Sequence, residues 1–393
     1  MRTIKAGLDI GNSAVKGNIL SSQNGLLREI IMPSAINYIH DEKYLNYPTN
    51  DTIYMQVLDS PLEHSSHIIA IGNRAMEIPN YQQYDVGATS YKTNHQLTTS
   101  LLFGIISEML YINETELDVM LAVSIPIVES KTFNLVKEYQ ALLLGTHRIR
   151  IYTHAGYRDV DINIISAQVL NEGQAGFLGL LDTVDKNFKQ VMNAVYAALG
   201  EGENTIPSLE DFLVVDIGEG TTDLAVFRNK RFNAEYSYSI TKGYGNLLEQ
   251  AMANAEREGL TIESRKQLQN LLASTNARRQ EQKNLWLRYV NAERQGYVDD
   301  VVQTILKTYS RQSYFDAIIF LGGGFSALTG YRIDEHNQIQ MTDSYLFDQL
   351  KLTLEKNKKT VDIMFGIPEP FAQSINNRGL MQILSSQTPN RKG

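Results

Sequence analysis

"LDIGNSAVKG", residues 8–17, and "VDIGEGTTDL", residues 215–224, are two copies of one pattern. In each, an apolar run ends at an aspartate, Asp9 or Asp216, a glycine follows two positions on, and a second strand-prone stretch begins at once. That order predicts a strand, a tight turn and a returning strand. Glycine lets the backbone turn sharply and approach a ligand closely, and the neighbouring N–H groups can point inward as an anion cradle. Three shared residues, Asp-Ile-Gly, make two unrelated β-turns the weaker reading and point to an internal duplication.

A third glycine turn lies in "IIFLGGGFSAL", residues 318–328, again after an apolar strand. One ligand that suits all three turns is a polyphosphate with a magnesium ion. Backbone N–H groups at Gly11, Gly218 and Gly322 to Gly324 would take phosphate oxygens, and Asp9 and Asp216 would hold the hard cation through its waters. Lys16, seven residues after Asp9, would neutralise phosphate as a point charge. Neither a G-x-x-x-x-G-K-[ST] loop nor a G-x-G-x-x-G fingerprint is present, so the solution differs from the P-loop and from dinucleotide-binding turns.

Around these turns, strand and helix signals alternate, which predicts an α/β protein. The 393 residues suffice for two cores: 1–172 as a first domain and 173–393 as a second. Prolines 33, 48, 61 and 79 punctuate an irregular stretch at 29–85, read as a small insertion whose best strand surrounds Ile71. A charged helical stretch at 264–310 is expected to form the corresponding insertion in the second half. Residues 185–211 add a helix and a loop before the second turn, either an interaction surface or an ornament. The tail at 385–393 is expected to be disordered. The 43% hydrophobic content is that of a soluble protein, and no apolar run approaches the ~20 residues of a spanning helix. The absence of cysteine excludes disulfides and thiolate chemistry and fits a cytoplasmic location. A formal charge of −8 argues against direct nucleic-acid binding over the whole surface. The seven histidines show no ligand spacing, and Trp286 reads as a packed helix residue.

The set "LDIGNSAVKG", "VLNEGQAG", "VVDIGEGTTDL", "IIFLGGGFSAL" and "PFAQSINNRGL" resembles the five nucleotide-binding signatures of the actin, heat-shock chaperone and sugar kinase superfamily, over residues 5 to about 382. Within it, "AVSIPI", "IAIGNRA" and "FAQSINNRGL" are similar to bacterial actin-like plasmid segregation proteins of the ParM type. The resemblance implies an actin-like ATPase fold, two duplicated α/β domains with mixed sheets around a nucleotide cleft. It implies phosphate contacts from Gly11, Asn12, Ser13 and Lys16 in the first loop and from Gly218, Glu219 and Gly220 in the second. Gly322, Gly323 and Gly324 would line the nucleoside, and Asp9 and Asp216 the magnesium. Glu172 falls where the family places the residue that orients the attacking water. ATP or GTP with magnesium would drive polymerisation into filaments, and a small DNA-binding adaptor would join the filament to plasmid DNA. A soluble small-molecule kinase or phosphohydrolase of the same fold stays open as an alternative, although no catalytic base stands out beside the loops and Asp223 in "GTTDL" reads as part of the strand pair. A membrane-tethered filament is disfavoured because the polar tail carries no amphipathic anchor.

Overall fold

The computed structural model describes all residues except 24, 41–44, 46–52, 63–66, 79–81, 84–90, 95, 183–184, 204, 310–312, 335–337 and 387–393. The expected disordered tail therefore lies almost wholly outside the described residues. The chain forms two compact units, Met1–Lys186 with Ser374–Gly393, and Asn187–Gln373.

Among the described residues the first unit is built on ten strands: β1 (Arg2–Ile10), β2 (Ala14–Ser21), β3 (Leu27–Pro33), β4 (Ala35–Ile39), β5 (Ile53–Asp59), β6 (Ile68–Ile71), β7 (Gln82–Gln83), β8 (Glu116–Ile125), β9 (Gly145–Thr153) and β10 (Gly156–Asn171). They form one sheet in the order β3-β2-β1-β8-β10-β9-β5-β6-β4-β7. The β1–β8 and β8–β10 pairs are parallel, and β1 and β2 form an antiparallel hairpin. The irregular stretch at 29–85 thus supplies β3 to β7, which pair into this same sheet. Ile4, Leu8 and Ile10 of β1 are buried with Leu101, Phe103 and Ile105 of the helix Gln96–Ser107. Met120 and Ala122 of β8 pack instead with Leu380, Met381 and Leu384 of the helix Ile375–Ser385.

The helix Ile375–Ser385 crosses the helix Glu172–Leu180 at glycines. A Cβ added to Gly379 would lie 1.8 Å from the Ala175 carbonyl oxygen, and one added to Gly179 would lie 2.1 Å from that of Ile375. The two backbones touch without side chains between them. Arg378 then pairs with Asp182 at 3.3 Å and Asp185 at 2.8 Å. A division at residue 172 would assign both helices to the second half, but this crossing packs them into the first unit.

The second unit repeats the arrangement with β11 (Phe212–Ile217), β12 (Thr222–Arg228), β13 (Arg231–Phe232), β14 (Tyr238–Ile240), β15 (Tyr314–Leu321), β16 (Arg332–Ile333), β17 (Ile339–Gln340) and β18 (Thr360–Gly366). Its main sheet runs β13-β12-β11-β15-β18, with an antiparallel β11–β12 hairpin and parallel β11–β15 and β15–β18 pairs. This is the β2-β1-β8-β10 pattern again, so the duplicated sequence corresponds to duplicated topology. The stretch "RFNAEYSYSI", residues 231–240, divides into β13 and β14, because Asn233 accepts the backbone N–H groups of Glu235 and Tyr236 and bends the chain between them.

Two stretches read as additions are part of this unit's core. In the helix Lys186–Ala198, Phe188 packs edge-on against Phe371 and Tyr196 against Phe365 of β18. In the helix Gln280–Thr308, Tyr297, Val298, Val301, Val302 and Ile305 recur at helical spacing and are buried with Leu248 and Ala251 of the helix Tyr244–Arg257. Trp286 is fully buried, as a packed helix residue should be. No helix among the described residues is long and apolar enough to cross a membrane.

The helix crossing makes a direct prediction. Gly379→Ala puts a methyl group onto a carbonyl that cannot retreat, so it should destabilise the protein by about 2–3 kcal/mol. Chemical denaturation of the two proteins side by side checks this, and an unchanged midpoint would show that the helices can part at no cost.

Candidate functional site

The two hairpins close with the same bond. The Gly11 N–H donates to the Ala14 carbonyl at 3.1 Å, and the Gly218 N–H donates to the Thr221 carbonyl at 3.0 Å. A Cβ would lie 3.1 Å from that carbonyl oxygen at Gly11 and 3.3 Å at Gly218, so clearance is what glycine supplies here. A left-handed backbone is required instead at Gly322, where φ is +93°. The copies differ in charge: across the hairpin Asp9 faces Lys16, whereas Asp216 faces Asp223.

In the first unit the turn is anchored by Ser34, whose hydroxyl donates to the Gly11 carbonyl at 2.5 Å and whose N–H donates to that of Ser13 at 3.1 Å. Asn12 is buried and Ser13 exposed. Asp9 is buried, accepts a hydrogen bond from the Ser124 hydroxyl at 2.9 Å, and stands 3.4 Å from the Lys92 ammonium. The same ammonium is 3.2 Å from Glu172 Oε1. Burial alone would raise the Asp9 pKa, but Lys92, Lys16 and the Ser124 hydroxyl together hold it below the usual carboxylate range. Glu172 opens its helix at the first position, and Asn171 caps that helix by accepting the Gln174 N–H at 2.8 Å. Glu172 therefore projects from a fixed helix start into a cluster with Asp9, Lys92 and Ser124.

In the second unit the turn is held by the start of the helix Tyr244–Arg257. The Gly218 carbonyl accepts from the Tyr244 N–H at 2.9 Å and the Glu219 carbonyl from the Gly245 N–H at 2.8 Å. The triple glycine fits against the same turn. A Cβ at Gly322 would lie 2.4 Å from Asp216 Oδ1, and one at Gly324 would lie 2.7 Å from the Ile217 carbonyl oxygen. Gly323 packs more loosely, with Gln373 Cγ 3.2 Å from its would-be Cβ. Gly220 is half-buried. The Glu219 side chain is committed elsewhere: both its oxygens accept from Gln269 Nε2, at 3.0 and 3.1 Å, and Arg265 Nε lies 3.8 Å away. Burial pushes its pKa up in spite of Arg265.

The sequence-predicted residues thus gather into two clusters, each within its own unit. Sequence reasoning missed Lys92, Ser124 and Glu129 in the first and Arg265 with Gln269 in the second. Asp223 is buried and accepts from the Ser239 hydroxyl at 2.5 Å, as a residue of the strand pair would.

These donors suit a magnesium ion that arrives with phosphate. Such an ion keeps most of its water and takes one or two carboxylates, and each turn carries one buried aspartate at a strand end. Among the described residues no group of three or more histidines, cysteines, aspartates or glutamates forms a metal cage of protein ligands alone.

The architecture is the actin-like two-domain α/β fold. ParM of Bacillus thuringiensis with AMPPNP has it at a TM-score of 0.62 and 15% identity, covering 98% of this chain and 99% of that one. An archaeal actin homologue has it at 0.61 and 14%, covering 98% and 100%. Apo pSK41 ParM has it at 0.56 and 16%, covering 97% and 96%. In sequence, residues 7–174 match the family of actin-like proteins, N-terminal domain, and residues 214–332 match the archaeal actin homologue MreB-like family, C-terminal. Each half of the chain is thus similar in part to a family of actin-like proteins. No curated protein matches it.

Gly322→Ala would force a left-handed alanine and drive its methyl into Asp216. A loss of stability of about 1–3 kcal/mol follows, read as a fall in thermal midpoint, while Gly323→Ala, where the nearest contact is a flexible side chain, should cost under about 1 kcal/mol. Equal costs at the two positions would contradict the packing described.

Proposed function

We propose that the chain binds a magnesium–nucleoside triphosphate through its two phosphate turns, hydrolyses it, and couples that cycle to assembly of filaments. The observation that carries this reading is the pair of identically bonded glycine turns, each following a buried aspartate, with Glu172 held beside one of them. Gly11, Asn12, Ser13 and Lys16 on one turn and Gly218 and Gly220 on the other would bind phosphate. Gly322 to Gly324 would receive the nucleoside, and Asp9 and Asp216 the magnesium waters. Glu219 would contribute its backbone, since Gln269 and Arg265 engage its side chain. Glu172 would orient the attacking water, which is the kind of positioning on which phosphoryl transfer depends. The magnesium would neutralise charge developing on the phosphoryl oxygens.

The proposal extends to ATP or GTP as fuel and to a small DNA-binding adaptor that attaches the filament to plasmid DNA in the cytoplasm. Supporting it over a soluble kinase is the place of Asp223, which the hydrogen bond it accepts from Ser239 ties into the strand pair. Contacts between unlike ends of identical subunits propagate as open helical filaments when the rotation does not close a ring.

Light scattering of the purified protein with magnesium and ATP or GTP should rise above a critical concentration and decay as nucleotide is consumed. Dispersed particles in electron micrographs with a non-hydrolysable analogue would favour the soluble enzyme. Glu172→Ala should slow hydrolysis about a hundredfold with nucleotide affinity nearly unchanged, and its polymers should outlast those of the wild type. Wild-type turnover in that variant would remove Glu172 from the mechanism.

A further inference from the structure

Glu129 lies in the short helix Ile127–Ser130 that follows β8, with only 1% of its surface exposed. Its carboxylate spans two consecutive backbone N–H groups: Oε1 accepts from Lys92 at 2.6 Å and Oε2 from Thr93 at 3.1 Å. The Lys92 carbonyl accepts in turn from the Thr98 hydroxyl at 2.7 Å. The backbone of residue 92 is thus held on both its donor and its acceptor side. A carboxylate that accepts two N–H groups in parallel fixes orientation as well as position, and charge-assisted bonds of this kind are stronger than neutral ones. From that anchored point the buried Lys92 side chain delivers its ammonium to both Asp9 and Glu172.

We infer that Glu129 is the positioning residue of this cluster: by clamping residues 92 and 93 it sets the reach of Lys92, whose ammonium neutralises the Asp9 and Glu172 carboxylates and stands ready for phosphate charge. The assignment of phosphate as the incoming charge rests on the nucleotide reading above; the clamp itself does not. Lys92 therefore ties the two carboxylates to one point through its paired contacts, 3.4 Å to Asp9 and 3.2 Å to Glu172. Glu129 acts only through it.

The test uses the full chain with Glu129→Ala, Glu129→Gln, Lys92→Met and the Glu129→Ala/Lys92→Met double variant. Hydrogen exchange without nucleotide reads the clamp alone. Glu129→Ala should speed exchange at the Lys92 and Thr93 amides by about tenfold or more, with distant core amides unchanged. Unchanged protection at those two amides would overturn the clamp. Hydrolysis with magnesium and ATP or GTP reads its purpose. Lys92→Met should lower kcat about a hundredfold, Glu129→Ala by about tenfold to a hundredfold with little change in KM, and the double variant no further than Lys92→Met alone. Glu129→Gln, whose amide oxygen accepts one of the two N–H groups, should recover part of the loss and keeps the question answerable if Glu129→Ala does not fold. Losses that add in the double variant, or a folded Glu129→Ala with wild-type kcat, would overturn the positioning role. If the wild type turns over neither nucleotide, the functional reading fails while the exchange result still decides the clamp.

Discussion

Two helix backbones meet at Gly179 and Gly379 with no side chain between them, and much of the first unit depends on that meeting. The helix Glu172–Leu180 begins with the residue proposed to orient water, so whatever fixes the helix fixes Glu172. Close backbone approach is a rigid constraint, because carbonyl groups do not change rotamer as side chains do. The Arg378 pairs with Asp182 and Asp185 then secure the same two segments where the chain leaves the first unit and where it returns.

Around each glycine turn a second constraint repeats. The hairpin bond closes the turn from within, and outside contacts then determine which way its carbonyls face. Ser34 performs this in the first unit, and the amides of Tyr244 and Gly245 perform it in the second. Both solutions consume carbonyl oxygens, and a polar backbone group left unpaired in a buried turn would be costly. Different residues thus meet the same requirement in the two copies, and a search for identical side chains would not reveal it.

The parts legible in the sequence were those written locally. The turns follow from apolar runs ending in Asp-x-Gly, which the hairpins β1–β2 and β11–β12 bear out. Lys92 was not legible, because its partners Asp9 and Glu172 stand 83 and 80 residues away and the text around it has no periodicity. Glu129, 37 residues from Lys92, is hidden for the same reason. The direction of the Glu219 side chain depends on Gln269, 50 residues on, so the motif alone suggested a ligand contact where the fold supplies a neighbour. The helices at 186–198 and 280–308 looked like additions because their polar faces dominate the text; their apolar spacing is what joins them to the core.

The opposed residues of the two hairpins, Lys16 before Asp9 and Asp223 before Asp216, show how far the copies have parted. An ancestral duplication would have left them interchangeable. A chimera with the second hairpin grafted into the first position would now set an aspartate where Lys16 lies, beside a carboxylate that needs cations to stay ionised in its buried place. Each repeat is matched to its own location, for the glycines are shared and the charges opposite the two aspartates are not.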